Sequence, residues 1–126
     1  MPGRKMKKIL IVDDQSDVRK LLAIVLNRKN RHFLYAASGE EAIAIARAET
    51  PDLILLDVMM PGGMDGYEVA RILKGDVDTR GCPIIAMTAR GLEEGSREAF
   101  AAGADAYVSK PFNMTDLQVK VETLLA

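Results

Sequence analysis

The chain has 126 residues, of which 48% are hydrophobic and 28% are charged, and its formal net charge is −1. This composition is typical of one globular domain, and a nearly neutral chain lacks the basic surplus of a nucleic-acid-binding protein. No apolar run reaches the roughly 18 residues of a membrane span, and the single cysteine, Cys82, excludes an internal disulfide. We therefore expect one cytoplasmic domain over residues 1–126 that binds neither nucleic acid nor membrane, with residues 1–6 as a flexible N-terminus.

Short apolar runs alternate with amphipathic stretches along the whole chain. Runs without polar alternation are typical of strands buried on both faces of a parallel sheet. One such run, at residues 53–56, leads directly into Asp57, whose charge belongs at a solvent edge because burying it in mid-strand costs free energy. The predicted strands cover residues 8–12, 33–36, 53–57, 83–87 and 106–108.

The first predicted helix, at residues 17–28, follows the first strand. Ser16 is of a residue type that caps helix N-termini, and Asn30 is expected to end the helix in a left-handed turn. The apolar side chains expected to face the core recur at helical spacing, and they are Val18, Leu21, Leu22, Val25 and Leu26.

Four further helices are predicted, three of them from residues that cap helix ends. Ser38 and Glu41 form a capping box at the start of the second helix, Gly103 suits the end of the fourth, and Asn113 can cap the fifth. The expected bounds are residues 39–48, a short third helix ending near residue 75, residues 93–102, and a fifth helix running through residue 124.

Polar residues follow four of the predicted strands. The alternation of strands with helices predicts a doubly wound α/β fold, in which a parallel sheet with right-handed crossovers carries helices on both faces. The carboxyl ends of parallel strands meet at one edge of the sheet, where such folds place their ligands. This edge would collect Asp13, Asp14, Asp57, Thr88 and Lys110.

Three carboxylates at this edge would repel one another, which raises one pKa or recruits a cation. Because the set offers only oxygen ligands, it favours Mg²⁺, with Mn²⁺ as a possible substitute, over zinc. An ionised Asp57 can attack an electrophilic phosphorus atom, while the Lys110 ammonium and the Thr88 hydroxyl stabilise the phosphoryl oxygens. The inferred product is an aspartyl phosphate at Asp57 that water later removes.

Further motifs accompany these strand ends. In chain order the full set is Asp13-Asp14, Asp57, Met60-Pro61, Met64-Asp65-Gly66, Thr88-Ala89, Gly103-Ala104, Tyr107 and Lys110-Pro111-Phe112. With this set the chain resembles a response-regulator receiver domain, the phosphoacceptor of two-component signalling, over essentially its whole length. The resemblance implies a flavodoxin-like, five-stranded sheet of order 2-1-3-4-5 and a single-domain regulator similar to those of chemotaxis.

The resemblance also implies roles for individual residues. Asp57 would be the phosphorylated residue. Asp14, Asp57 and the backbone carbonyl of Met59 would ligate Mg²⁺, and Asp13 would support the ion through water. The protein would then be a signalling phosphoacceptor with intrinsic, Mg-dependent autophosphorylation and autodephosphorylation, rather than an enzyme.

A switch is a further implication of the resemblance. On phosphorylation Thr88 would move toward the phosphoryl group and Tyr107 would turn inward behind it. This movement would remodel the face formed by the fourth helix, fifth strand and fifth helix, where a downstream protein docks. The upstream partner would be a sensor histidine kinase or a histidine phosphotransfer protein.

Two features mark this chain within the family pattern. Gly62-Gly63 puts two residues where the family usually has one, and a glycine pair can absorb an extra residue in a tight loop. Met59 and Arg90 occupy positions that tune dephosphorylation in the family. Met59 offers no side-chain hydrogen bond to an attacking water, whereas Arg90 could interact with the phosphoryl group.

Two other functions fit parts of the pattern. An aspartyl phosphatase on a similar sheet would carry a second acid two residues after the nucleophile, where this chain has Met59, together with a cap domain. A receiver-like interaction module could work without phosphorylation, although every acceptor residue is present. We expect a stand-alone receiver, or one excised from a longer protein, whose output is protein–protein contact.

Overall fold

A computed structural model of the chain describes residues 6–89 and 92–126. Residues 92–96 are described through their backbone only. Most of the expected flexible segment, residues 1–6, and Arg90 lie outside the described residues. The strands are β1 (Lys7–Val12), β2 (Arg31–Ala36), β3 (Leu53–Asp57), β4 (Ile84–Thr88) and β5 (Ala106–Ser109). The helices are α1 (Ser16–Leu26), α2 (Gly39–Glu49), α3 (Gly66–Gly75), α4 (Leu92–Ala101) and α5 (Met114–Leu125). In the described part of the chain, none of these helices has the length and apolarity that a bilayer span requires.

The strands form one parallel sheet of order β2-β1-β3-β4-β5, which confirms the predicted order. β3 lies at the centre, where Leu55 is the register partner of Ile11 on β1 and of Ile85 on β4. Every residue of β3 is buried, including Asp57, as predicted for a strand covered on both faces. Because all strands run in the same direction, their carboxyl ends lie along one edge.

Two apolar clusters fill the space between the sheet and its helices. Side chains alternate along each strand, so Leu55 packs with Leu22 of α1 and Leu117 of α5 on one face. Leu56 points the other way and packs in a cluster with Leu73 of α3 and with residues of α2 and α4. Each fully buried leucine contributes about 1.5–3 kcal/mol, and together they hold β3 rigidly in the middle of the domain.

The predicted caps of α2, α4 and α5 are confirmed. The Ser38 hydroxyl accepts a hydrogen bond from the backbone N–H of Glu41 at 3.2 Å, and Asn113 Oδ1 accepts one from the backbone N–H of Asp116 at 3.0 Å. Gly103 follows α4 with a φ of +103°, the left-handed conformation expected of a glycine at this position. These local signals therefore place the helix ends within one or two residues.

The predicted start of α1 is wrong, because Ser16 does not cap the helix but is its first residue. Gln15 occupies the N-cap position without a side-chain cap. The turn before the helix is instead held by Asp13, whose Oδ1 accepts a hydrogen bond from the backbone N–H of Gln15 at 2.9 Å. A carboxylate at the end of β1 thus provides the local hydrogen bond that Ser16 was expected to provide.

The end and the outer face of α1 also differ from the prediction. The helix ends at Leu26, and Asn27 follows it in an extended conformation. Among the described residues other than glycine, positive φ occurs at Thr50, so Asn30 does not form the predicted left-handed turn. Leu21 was expected in the core but is 44% exposed, because α1 is rotated so that Leu22 and Leu26 are its buried residues.

Candidate functional site

Three carboxylates and one lysine meet at the carboxyl edge of the sheet. Asp13 and Asp14 follow β1, Asp57 ends β3, and Lys110 follows β5. One carboxylate oxygen from each of the three aspartates lies within 4.8 Å of the others. The fold therefore gathers the side chains that the sequence assigned to one edge, while their chemical roles stay predictions.

The three aspartates differ in their access to solvent. Asp13 is fully buried and Asp57 is 2% exposed, whereas Asp14 is exposed. Oxygen ligands without histidine or cysteine suit Mg²⁺ or Mn²⁺, and negative charge at this density favours a cation. These donors therefore fit a divalent ion, with Asp14 on the solvent side and the other two carboxylates beneath it.

Asp57 is held by one neighbour at each carboxylate oxygen. The backbone N–H of Met59 donates to Oδ1 at 3.0 Å, and Lys110 Nζ lies 3.3 Å from Oδ2. Burial raises the pKa of Asp57 above its ordinary value of 3.8; the Met59 hydrogen bond opposes this, the charge of Asp13 adds to it, and Lys110 lowers it. The pKa is raised overall, so one lysine does not fully compensate for desolvation and for the second carboxylate.

Lys110 bridges the two buried carboxylates. Its Nζ donates to Asp13 Oδ2 at 3.0 Å as well as facing Asp57. Burial alone would lower the pKa of this ammonium, but the hydrogen bond to Asp13 and the charges of both aspartates raise it overall. The backbone N–H of Lys110 donates to the Thr88 carbonyl at 2.8 Å, and the peptide bond to Pro111 is cis. The lysine is therefore charged and held next to β4.

Thr88 and Tyr107 point to the same face of the sheet. Thr88 ends β4 and is 1% exposed, and its register partner on β5 is Ser109. Tyr107 lies two residues before Ser109, so strand alternation puts both side chains on one face. Tyr107 is partly buried against the cluster of α2, α3 and α4. The predicted switch residues therefore lie on the same face of two neighbouring strands, while their coupling stays a prediction.

The loop between β3 and α3 contains the glycine pair Gly62-Gly63. Gly62 and Gly63 have φ values of +72° and +104°, in the left-handed region that glycine adopts most readily. The loop closes where the backbone N–H of Gly66 donates to the Val58 carbonyl at 3.3 Å. A Cβ at Gly66 would collide with the backbone of Asp57 and Val58, so α3 begins in direct contact with the end of β3.

Sequence reasoning missed the residues that flank Tyr107. The ring of Phe100 lies 5.9 Å from the ring of Tyr107, and Lys120 Nζ lies 5.3 Å from the Tyr107 ring centroid. A helical pair of opposite charges, Asp116 and Lys120, is visible in the sequence. Their proximity to Tyr107 depends on the packing of α5 against β5, which no local pattern specifies.

Comparisons with known proteins agree with this geometry. Residues 9–122 match the family model described as the response regulator receiver domain. The chain is 43% identical over 118 residues to the transcriptional regulatory protein ResD of Bacillus subtilis, covering 94% of this chain and 48% of ResD. The chain thus spans about half the length of the curated relatives it matches.

Solved structures match the whole described architecture. A response regulator of Chloroflexus aurantiacus superposes with a TM-score of 0.88 at 36% identity, covering 96% of this chain and 98% of that one. The chemotaxis protein CheY4 of Vibrio cholerae gives a TM-score of 0.85 at 32% identity, covering 95% and 99% respectively. Sequence and fold therefore point to the same family.

Proposed function

Because this chain belongs to the family of response regulator receiver domains, we propose that it is the phosphoacceptor of a two-component phosphorelay. Its donor is a sensor histidine kinase or a histidine phosphotransfer protein, and its acceptor is Asp57. The observation that carries the proposal is the buried Asp57 carboxylate at the end of β3, 3.3 Å from the Lys110 ammonium and beside two further aspartates.

Asp57 acts as the nucleophile in this proposal. A carboxylate oxygen attacks the phosphorus atom, so an O–P bond forms while the P–N bond of the donor phosphohistidine breaks and the imidazole leaves with a proton. The hydrogen bond from Met59 to Oδ1 restrains rotation of the carboxylate, which keeps it oriented for attack. In autodephosphorylation, water attacks the phosphorus atom and the O–P bond to Asp57 breaks. Inorganic phosphate is released and Asp57 becomes a carboxylate again.

Lys110 and Thr88 stabilise the transferring group. The Lys110 ammonium neutralises charge that develops on the phosphoryl oxygens, as fixed cations do in phosphoryl transfer. Its bridge to Asp13 holds it on the acceptor side of the site. The Thr88 hydroxyl, at the end of the neighbouring strand, donates a hydrogen bond to a phosphoryl oxygen. Both residues therefore act on the phosphoryl group while it is transferred to Asp57.

A Mg²⁺ ion fits the donor set of the carboxyl edge, and Mn²⁺ is a possible substitute. Asp14, Asp57 and the backbone carbonyl of Met59 would hold it, with Asp13 in support through water. When bound, the ion supplies positive charge that offsets the carboxylates and the incoming phosphate. Asp13 and Asp57 are buried, so their charges are poorly screened by water and attract a cation strongly.

The output of the proposed switch is a protein-binding surface. Phosphorylation draws Thr88 toward the phosphate and Tyr107 inward, which changes the face formed by α4, β5 and α5. A downstream protein reads that face, with no direct contact to nucleic acid or membrane. Three further points stay predictions. They are the cytoplasmic location, the single receiver domain over residues 1–126 (whether stand-alone or part of a longer protein), and the non-enzymatic role with intrinsic phosphorylation and dephosphorylation.

Phosphorylation by acetyl phosphate tests this function directly. We expect intact-mass spectrometry to show a gain of one phosphoryl group that requires Mg²⁺, disappears with EDTA and is removed by hydroxylamine. Asp57→Asn should abolish the gain and leave the circular dichroism spectrum unchanged, because the amide fits the space of the carboxylate. Asp52→Asn is the matched control, since Asp52 lies at the opposite edge of the sheet and should not affect labelling.

Two outcomes would contradict the proposal. Persistent labelling of Asp57→Asn at another residue would show that Asp57 is not the acceptor. The absence of labelling under every condition would favour the phosphorylation-independent interaction module. The alternative of an aspartyl phosphatase has no support at residue 59, where the exposed side chain is a methionine and cannot protonate a leaving group.

A further inference from the structure

Lys120 of α5 makes three contacts with its ammonium group. Its Nζ donates to the Tyr107 backbone carbonyl at 2.8 Å and to Asp116 Oδ2 at 2.9 Å. The same atom lies 5.3 Å from the centroid of the Tyr107 ring, within the range of a cation–π interaction. Two oxygen acceptors therefore fix the ammonium, and the third contact is to the Tyr107 ring.

The Tyr107 ring has a second neighbour on α4. The rings of Tyr107 and Phe100 are 5.9 Å apart at an interplanar angle of 88°, the edge-to-face arrangement favoured by aromatic quadrupoles. The ring of Tyr107 thus lies between a side chain of α4 and a side chain of α5. Both contacts involve the ring itself, whereas the hydrogen bond from Lys120 is to the backbone carbonyl of Tyr107.

We propose that Lys120 is a positioning residue of the switch, whose ammonium stabilises the resting position of the Tyr107 ring and opposes its inward rotation. The inference rests on the proposed function, because inward rotation matters only if Asp57 is phosphorylated. Since the ammonium is already fixed by Asp116 and the Tyr107 carbonyl, little side-chain entropy is lost in the ring contact. Removing the charge should therefore shift the ring equilibrium toward the inward position.

A purely structural role for Lys120 makes a different prediction. Lys120 and Asp116 form an i,i+4 pair, which stabilises helices modestly, and Lys120 also links α5 to β5. If only the helical pair mattered, Asp116→Asn would disturb the region about as much as Lys120→Met. If the ring contact matters, Asp116→Asn should have little effect, because Lys120 keeps both its hydrogen bond to the carbonyl and its position over the ring.

The experiment uses the full chain labelled with 3-fluorotyrosine, without phosphate. The fluorine resonance of Tyr107 is assigned by its disappearance in Tyr107→Phe. We expect Lys120→Met, which keeps an unbranched side chain but removes the cation, to move this resonance. Lys120→Arg, which keeps the cation, should leave the resonance near its wild-type position. Asp116→Asn should leave it near the wild-type position. Thermal unfolding of each variant shows that the fold is retained.

The second readout is the rate of labelling by acetyl phosphate in Mg²⁺. Loss of one cation–π contact should raise the rate about two- to five-fold in Lys120→Met, because the inward position favours the phosphorylated state. An unmoved resonance in Lys120→Met, an equal movement in Asp116→Asn, or an unchanged labelling rate would each overturn the proposal. Failure of the proposed function is separate, since it would abolish labelling of the wild-type protein while the fluorine spectra still report on Lys120.

Discussion

The carboxylates at the two edges of the sheet differ in how many lysine partners they have. At the amino edge, Asp105 Oδ2 accepts hydrogen bonds from the backbone N–H of Ile84 at 2.8 Å and from Lys74 Nζ at 2.9 Å. Glu49 there has its own lysine, Lys8, at 3.1 Å. At the carboxyl edge the two buried aspartates share Lys110, and a third aspartate lies beside them.

This difference separates carboxylates that are paired within the fold from carboxylates that, in the proposed function, bind a cation. A carboxylate with its own lysine and a strand N–H closes a strand end at little electrostatic cost. Three carboxylates around one lysine leave a surplus of negative charge that a cation or a proton must offset. At the amino edge Asp105 and Glu49 are therefore each paired with a lysine of the chain, whereas the carboxyl edge keeps the negative charge that the proposed function uses to bind a cation.

Replacing the shared lysine, Lys110, should have the largest effect on phosphorylation. In Lys110→Met we expect the rate of acetyl phosphate labelling to fall about 100-fold or more, the usual effect of losing a charge stabiliser of a transition state. Lys8→Met is the matched control at the amino edge and should label at the wild-type rate. Rates are measured by intact-mass spectrometry, and a Lys110→Met rate within three-fold of wild type would remove Lys110 from the mechanism.

Replacing a paired carboxylate should affect stability instead. Asp105→Ala removes the acceptor for the Ile84 N–H and for Lys74, which should lower the free energy of unfolding by about 1–2 kcal/mol and leave labelling at Asp57 unchanged. Asp105→Asn keeps an acceptor for the N–H and should lose less. Urea unfolding at pH 7 measures both variants. A loss for Asp105→Ala below about 0.5 kcal/mol, typical of featureless surface positions, would contradict the assignment.

The smallest expected effect is a pH dependence without metal. Because burial, assisted by the charge of Asp13, raises the pKa of Asp57, the folded state binds this proton more tightly than the unfolded chain. Ionised Asp57 thus destabilises the fold above its folded-state pKa. That destabilisation is relieved as the pH falls through this pKa toward 3.8, the ordinary value.

Urea unfolding in EDTA between pH 7 and pH 4.5 tests the direction of this pH dependence of stability. Asp57→Asn should be more stable than wild type at pH 7, and the difference should shrink as the pH falls. Curves for the two proteins that stay parallel over this range would mean that the Asp57 pKa is not raised. Adding Mg²⁺ should stabilise the wild type at pH 7, because a ligand of the folded state adds its binding free energy to the fold.

Local patterns in the sequence predict the strands and the strand-end residues well. The run that ends at Asp57 identifies both a buried strand and its solvent end, and the parallel topology then brings Lys110 to the same edge. Ser38 and Asn113 act within four residues of themselves, so their caps are also visible in the sequence. The site can be predicted from such signals because every strand of the sheet runs in the same direction, which brings all the strand ends to one edge.

What the sequence did not reveal depends on contacts between distant elements. The rotation of α1 is set by its packing on β1 and against α5, so spacing alone put Leu21 in the core although it is 44% exposed. Ser16 was expected to cap α1, but the turn before the helix is stabilised by Asp13, which accepts a hydrogen bond from the Gln15 N–H. Likewise, Lys120 reaches Tyr107 only because α5 returns to β5.

The contact of Gly66 with the end of β3 has a consequence for how this loop tolerates changes in length. The helix start is packed against the backbone of Asp57 and Val58, and the Gly66 N–H closes the loop on the Val58 carbonyl. Both ends of the segment are therefore anchored, and a Cβ at Gly62 would meet no atom within 4 Å. Residues added at the Gly62 tip can therefore extend into solvent at a modest entropic cost, while both anchoring contacts stay in place.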